Sequence, residues 1–157
     1  MSKKIVKTYV YNGLGFPVEL HNVEMVTING EEHPKIDVRN VADQAINSLV
    51  SHKSRLTGNQ IKFIRTYFSM SLREFAEVVN ESHMAVKKWE NFRNESTNMD
   101  KNIEIMLRLY IFDRIDIKTS KNESNKIKFY NQYTGLTEMF HAKDKMVPAK
   151  SGMGLVI

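Results

Sequence analysis

The sequence predicts an α+β fold that is mainly α: a small N-terminal antiparallel sheet followed by a helix-turn-helix bundle of about five helices. Three observations predict it. Residues 5–38 are rich in aromatic and β-branched residues and carry the turn signals Gly13-Leu14-Gly15 and Asn29-Gly30. Residues 56–90 hold three short blocks with apolar residues at helical spacing, each opened by a hydroxyl residue. Residues 103–115 are apolar almost all round, the pattern of a helix buried on two sides.

The run Lys7–Glu19 reads as two strands around Gly13-Leu14-Gly15, with Pro17 placing its strand at an edge or making it start late. Val23–Ile28 alternates toward Asn29-Gly30, the strongest short hairpin signal in the chain. A sheet this small needs a helix or a partner chain over its apolar face. Asp37 is placed to cap a helix over Val38–Ser51, with Val41, Ala45, Ile46 and Leu49 on one side. Ser51–Arg55 is a polar connector.

In the first of the three blocks, Thr57 has Gln60 three residues on; in the second, Ser71 has Glu74. Both are capping boxes, in which side chain and backbone satisfy each other's orphan groups. Leu56 with Ile61, and Met70 with Phe75, stand at the positions of hydrophobic staples. Ser82 opens the third block without box or staple. Ile61, Ile64 and Phe68 form the apolar face of the first block, with Lys62 and Arg65 off it. Leu72, Phe75, Ala76 and Val79 form that of the second. Asn80 falls where the chain reverses, and Asn tolerates the left-handed backbone. In the third block Ala85, Val86 and Trp89 face inward, leaving His83, Met84, Lys87 and Lys88 outward. The second and third blocks, joined by Val79-Asn80-Glu81, have the length of a helix-turn-helix.

Asn94–Asp100 is a polar loop. A helix over Ile103–Ile115 follows, one face for the core and the other for a dimer contact. Beyond it come a polar linker at Thr119–Asn125, a short strand at Lys126–Tyr133 and a mobile tail or an arm. The expected organisation is therefore a β-rich segment over residues 1–36, the helical domain over 37–117, and a basic linker, strand and tail over 118–157.

Charge is placed unevenly. Residues 53–93 carry eight basic and four acidic residues, and residues 118–157 seven and three, so each stretch is net +4. The remaining stretches, 1–52 and 94–117, are net −1 and −2. A positive field on the three-block stretch draws polyanions. The absence of cysteine excludes disulfides and thiolate zinc sites and fits a reducing cytoplasm. The N-terminus lacks an apolar run of signal-peptide length, and no membrane span is expected. His21, His33, His52, His83 and His141 lack metal-ligand spacing. No nucleophile elbow or paired acid motif occurs, so neither a metal, a cofactor nor an enzymatic activity is expected.

The stretch LTGNQIKFIRTYFSMSLREFAEVVNESHMAVKKWEN resembles the helix-turn-helix of the Cro/repressor (XRE-like) family. The residues that carry the likeness are Ile61, Ile64, Arg65, Ser71, Glu74, Phe75, Ala76, Ser82, Val86, Trp89 and Glu90. LTGNQIKFIR and the preceding GLGFPVEL are similar to MqsA-type antitoxins, a branch whose best-known members hold zinc through cysteines that this chain lacks. The resemblance implies that the third block lies in the major groove while the second crosses the phosphate backbone. Ser82, His83, Met84, Lys87 and Lys88 would then face DNA. Lys62, Arg73 and Arg93 would add phosphate contacts; the contact of a glutamine that the family often has where this chain has Leu72 is either absent or passes to Arg73. Arg65 and Glu90 match a structural ion pair of the family. The implied function is a cytoplasmic, sequence-specific regulator that binds a near-palindromic operator as a homodimer: an autorepressing antitoxin with a toxin partner, or a phage-type repressor. The rival reading is a protein-interaction module whose sheet and long apolar helix hold a partner protein.

Overall fold

A computed structural model describes residues 3–119, 131, 134, 135 and 153–156. Among them the chain forms four strands and five helices, an α+β fold. By contacts it divides into two units, Met1–Ala45 with Lys150–Ile157, and Ile46–Ala149. The division falls inside a helix, later in the chain than the expected limit at residue 36.

In the first unit, β1 (Lys4–Tyr11) pairs antiparallel with β2 (Val18–Ile28), and β2 with β3 (Glu31–Pro34). The first turn closes with Gly15 N–H donating to the Asn12 carbonyl, Gly15 at φ 91°. β2 starts directly after Pro17, which has no N–H to give a ladder. Asn29 (φ 52°) and Gly30 (φ 85°) are both left-handed, as a two-residue primed hairpin turn requires.

One expectation is corrected here. The strands expected at Pro17–Glu19 and Val23–Ile28 are one strand, because Asn22 takes φ 57° and lets the backbone kink without leaving the sheet. The buried side passes there from Val18 and Leu20 to Val23, and the half-buried residues of β1 shift in step, from Tyr11 and Tyr9 to Val6. The end of the chain, expected as a mobile tail or an arm, contributes a strand. Residues 153–156 form β4, which runs parallel to β2 with Val18 opposite Met153 and His21 opposite Val156. It takes the part of the β2 edge that short β3, paired only with Met25–Ile28, leaves open. The strand expected at Lys126–Tyr133 lies outside the described residues, apart from Asn131, which is helical.

Helix α1 (Val38–Ser51) has the expected bounds, and the Asp37 carboxylate accepts the Asn40 N–H at its start. Val41, Ala45, Ile46 and Leu49 are all buried. In the second unit follow α2 (Gly58–Tyr67), α3 (Leu72–Val78), α4 (His83–Glu90) and α5 (Lys101–Thr119). Both capping boxes are present in full, Thr57 with Gln60 and Ser71 with Glu74. The core holds Leu56, Ile61, Ile64, Phe75, Ala76, Val79, Val86, Leu107 and Ile111. Each large member contributes about 1.5–3 kcal/mol by leaving water.

Helix α5 begins before Ile103 and ends after Ile115, and its inner face is not purely apolar. Glu104 and Arg108 are fully buried beside Ile105, Leu107 and Ile111. The Glu104 carboxylate accepts from Arg55 Nε at 2.5 Å, from Arg108 Nη2 at 2.8 Å and from the Leu56 N–H at 3.1 Å. Arg55 also donates to the Met99 carbonyl. Arg108 reaches the carbonyls of Leu49 (3.1 Å), His52 (2.6 Å) and Ser54 (2.8 Å), which orders the connector between α1 and α2. Isolated charges at this depth would cost far more than such an interior returns, so the partners are obligatory. On the other side of α5, Met106 is exposed while Ile103, Leu109, Tyr110 and Phe112 are half-buried. No helix among the described residues is long and apolar enough to cross a membrane.

Candidate nucleic-acid interface

The candidate surface is made by α3, the turn after it, and α4. Ser71 Oγ accepts the Glu74 N–H at 3.2 Å and the Glu74 carboxylate accepts the Ser71 N–H at 2.7 Å. These bonds hold the Glu74 carboxyl below its ordinary range, the Ser71 backbone donor contributing most. α3 then ends in a Schellman turn. Asn80 sits at φ 53°, its N–H donating to the Glu77 carbonyl at 3.2 Å, and the Glu81 N–H reaches the Ala76 carbonyl at 2.9 Å. α2 ends the same way with Ser69 (φ 55°) in the left-handed position, which no turn signal in the sequence marks. The paired turns set where α3 and α4 begin.

Ser82 caps α4, its Oγ accepting the Ala85 N–H at 3.1 Å. Val86 (0% exposed) and Trp89 (8%) root the helix in the core. Ser82, His83, Met84, Lys87 and Lys88 are all exposed. The two lysines follow His83 and Met84 at i+4, so the four side chains share one face. Arg73 on α3, Lys62 on α2 and Arg93 after α4 are exposed as well. Among the described residues, none of these lysines and arginines enters an ion pair with a carboxylate. Lys88 and Arg93 line one open groove with Asn91, Phe92, Asn94 and Glu95, two asparagines there not having been singled out from the sequence. The acidic side chains Glu77 and Glu81 are also exposed, on α3 and the turn.

Arg65 is placed differently. Its Nε donates to Glu90 Oε1 at 2.6 Å and its Nη2 to Glu90 Oε2 at 3.1 Å, a two-point fork. Nη1 donates to the Met70 carbonyl at 3.1 Å. One guanidinium thus ties α2, the turn before α3 and the last residue of α4. The pairing of Arg65 with Glu90 is the one the family resemblance implies, and it leaves Arg65 committed to structure.

Gly58 packs against the same C-terminal end of α4. A Cβ on it would stand 2.4 Å from the Trp89 carbonyl oxygen and 2.6 Å from the Arg93 nitrogen. The first N–H groups of α2 are instead met by that loop: Gly58 N–H by the Glu95 carbonyl at 3.2 Å and Asn59 N–H by the Arg93 carbonyl at 2.7 Å. Arg93 takes φ 52° in the process. The surface is therefore a capped and tethered pair of helices joined by a turn and carrying outward cations. Among the described residues no cluster of three or more His, Asp or Glu is placed to hold a metal. No family model, curated protein or solved structure matches this chain.

Proposed function

We propose that this chain is a cytoplasmic, sequence-specific DNA-binding regulator of the Cro/repressor type that acts as a homodimer on a near-palindromic operator. The observation that carries the reading is the face of α4: His83, Met84, Lys87 and Lys88 exposed together on a helix whose opposite side is rooted by Val86 and Trp89. A helix-turn-helix presents its second helix to base edges in the major groove, and a dimer spaces two such helices by about 34 Å. Lys62, Arg73, Lys87, Lys88 and Arg93 supply phosphate or groove contacts, so affinity falls steeply with salt. Autorepression by an antitoxin, or repression of the phage type, is the biological setting that the likeness favours. The test is a gel shift against duplexes selected from a random pool. Lys87→Ala with Lys88→Ala should lose binding while keeping the native circular dichroism; unchanged binding would sink the proposal.

One observation favours a second role. Ile5, Val10 and Ile28 on the sheet are each more than half exposed, at 59%, 54% and 53%. They are spread along the sheet, which thereby offers apolar surface to a partner over much of its length. In this reading the sheet holds a partner protein such as a toxin. Ile5→Glu with Val10→Glu should then abolish co-purification of that partner from the native host and spare DNA binding; retained co-purification would count against it.

A further inference from the structure

We infer that Met84 reads the 5-methyl group of a thymine, so that each half-site of the operator carries a thymine at one fixed position. The inference rests on the DNA-binding reading above and deepens it. Met84 is the second residue of α4 and is 60% exposed, the most exposed of the large hydrophobic side chains among the described residues. Its neighbours on that face are His83, Lys87 and Lys88, all polar and all exposed. Nothing in the second unit's core needs a side chain there, since Val86 and Trp89 already anchor the helix. A large apolar group on a cationic face has one apolar counterpart in the major groove. The groove floor offers hydrogen-bond donors and acceptors at every base pair, and a methyl only at thymine. The first turn of a recognition helix is the part that reaches base edges. An unbranched thioether adapts to such a contact without a fixed rotamer and has no donor with which to satisfy a guanine or adenine edge.

Thymine is thus chosen by burial of a methyl rather than by a hydrogen bond, and this has a distinctive signature. Deoxyuridine keeps every hydrogen-bonding group of thymine and lacks only the methyl. The experiment takes the full chain, isolates an operator by selection from random duplexes, and replaces each thymine singly by deoxyuridine. One position in each half-site should weaken binding by about fourfold, the ratio that burial of a single methyl supplies. Met84→Ala should bind more weakly than the parent and be indifferent to the replacement at that position. Lys87→Ala alone should keep the sensitivity. The inference is overturned if the parent protein binds its operator tightly yet tolerates deoxyuridine everywhere, or if Met84→Ala retains the same sensitivity. A selection that enriches no duplex at all would instead overturn the DNA-binding reading itself, and with it this one. Circular dichroism of Met84→Ala, expected to match the parent for so exposed a position, separates a lost contact from a lost fold.

Discussion

Arg55 and Arg108 lie inside the second unit, and Lys87 and Lys88 lie on its surface; the two pairs show what the protein does with positive charge in each place. The buried arginines share one carboxylate, Glu104, and spend further donors on the carbonyls of Leu49, His52, Ser54 and Met99. Arginine suits this because its planar fork reaches several acceptors at once. Burial pulls the Arg108 guanidinium down from its ordinary value, and Glu104 opposes that pull. The surface lysines have no carboxylate partner among the described residues. Interior charge is met within the fold by a shared carboxylate and by backbone carbonyls, while the cations of α4 stand exposed, where the proposed function has them meet phosphates. The buried pair serves stability and, under the proposed function, the surface pair serves recognition; this contrast can be broken at several points.

The largest effect is expected at Glu104. Glu104→Ala leaves two buried guanidinium groups without their shared carboxylate and should cost about 3–5 kcal/mol in denaturant unfolding. Arg65 stands between the two regions, its side chain 15% exposed and that of Glu90 12%. Arg65→Ala should cost about 1.5–3 kcal/mol, the range for hydrogen bonds to charged groups, and should also weaken operator binding by loosening the end of α4. Stability lost with binding intact would show that α4 is oriented without that fork.

Next comes His52, beside the buried cluster. Burial and the positive charge of Arg108 hold its pKa below the ordinary 6.5. Below that pH the unfolded chain takes up more protons at this residue than the folded one, so stability rises with pH and levels off above about 6.5. A series of urea midpoints between about pH 5 and 7 should show this slope in the parent and lose it in His52→Leu. The smallest effect on stability is expected from the surface pair. Lys87→Ala with Lys88→Ala should move the unfolding free energy by no more than about 0.5 kcal/mol. Lys87→Ala alone, which keeps binding, should lower the salt dependence of operator binding by about one phosphate contact per protomer.

What the sequence disclosed and what it hid divide along the same line as these effects. The capping boxes at Thr57 and Ser71, the left-handed Asn80 and the Asn29-Gly30 turn are legible because each is chemistry between residues a few positions apart. The outward face of α4 is legible too, since Val86 and Trp89 fix its phase. The Arg55–Glu104–Arg108 cluster was not foreseen. Its signal was faint: a Glu and an Arg four residues apart inside an otherwise apolar run, whose partner Arg55 lies 49 residues from Glu104. Ser69 in a left-handed turn and the kink at Asn22 were missed for another reason. Ser69 is not a residue type that favours the left-handed backbone, and Asn22, which does tolerate it, stands inside a run that otherwise reads as strand.

The parallel pairing of β4 with β2 has a consequence for biogenesis. Val18 is synthesised early and meets Met153 only after the whole helical stretch has been made. During translation that edge of the nascent sheet is bare, a template for strand addition by a neighbouring chain. A chaperone, or a bound partner protein, would serve this molecule best in that interval, before its own late strand arrives to close the gap.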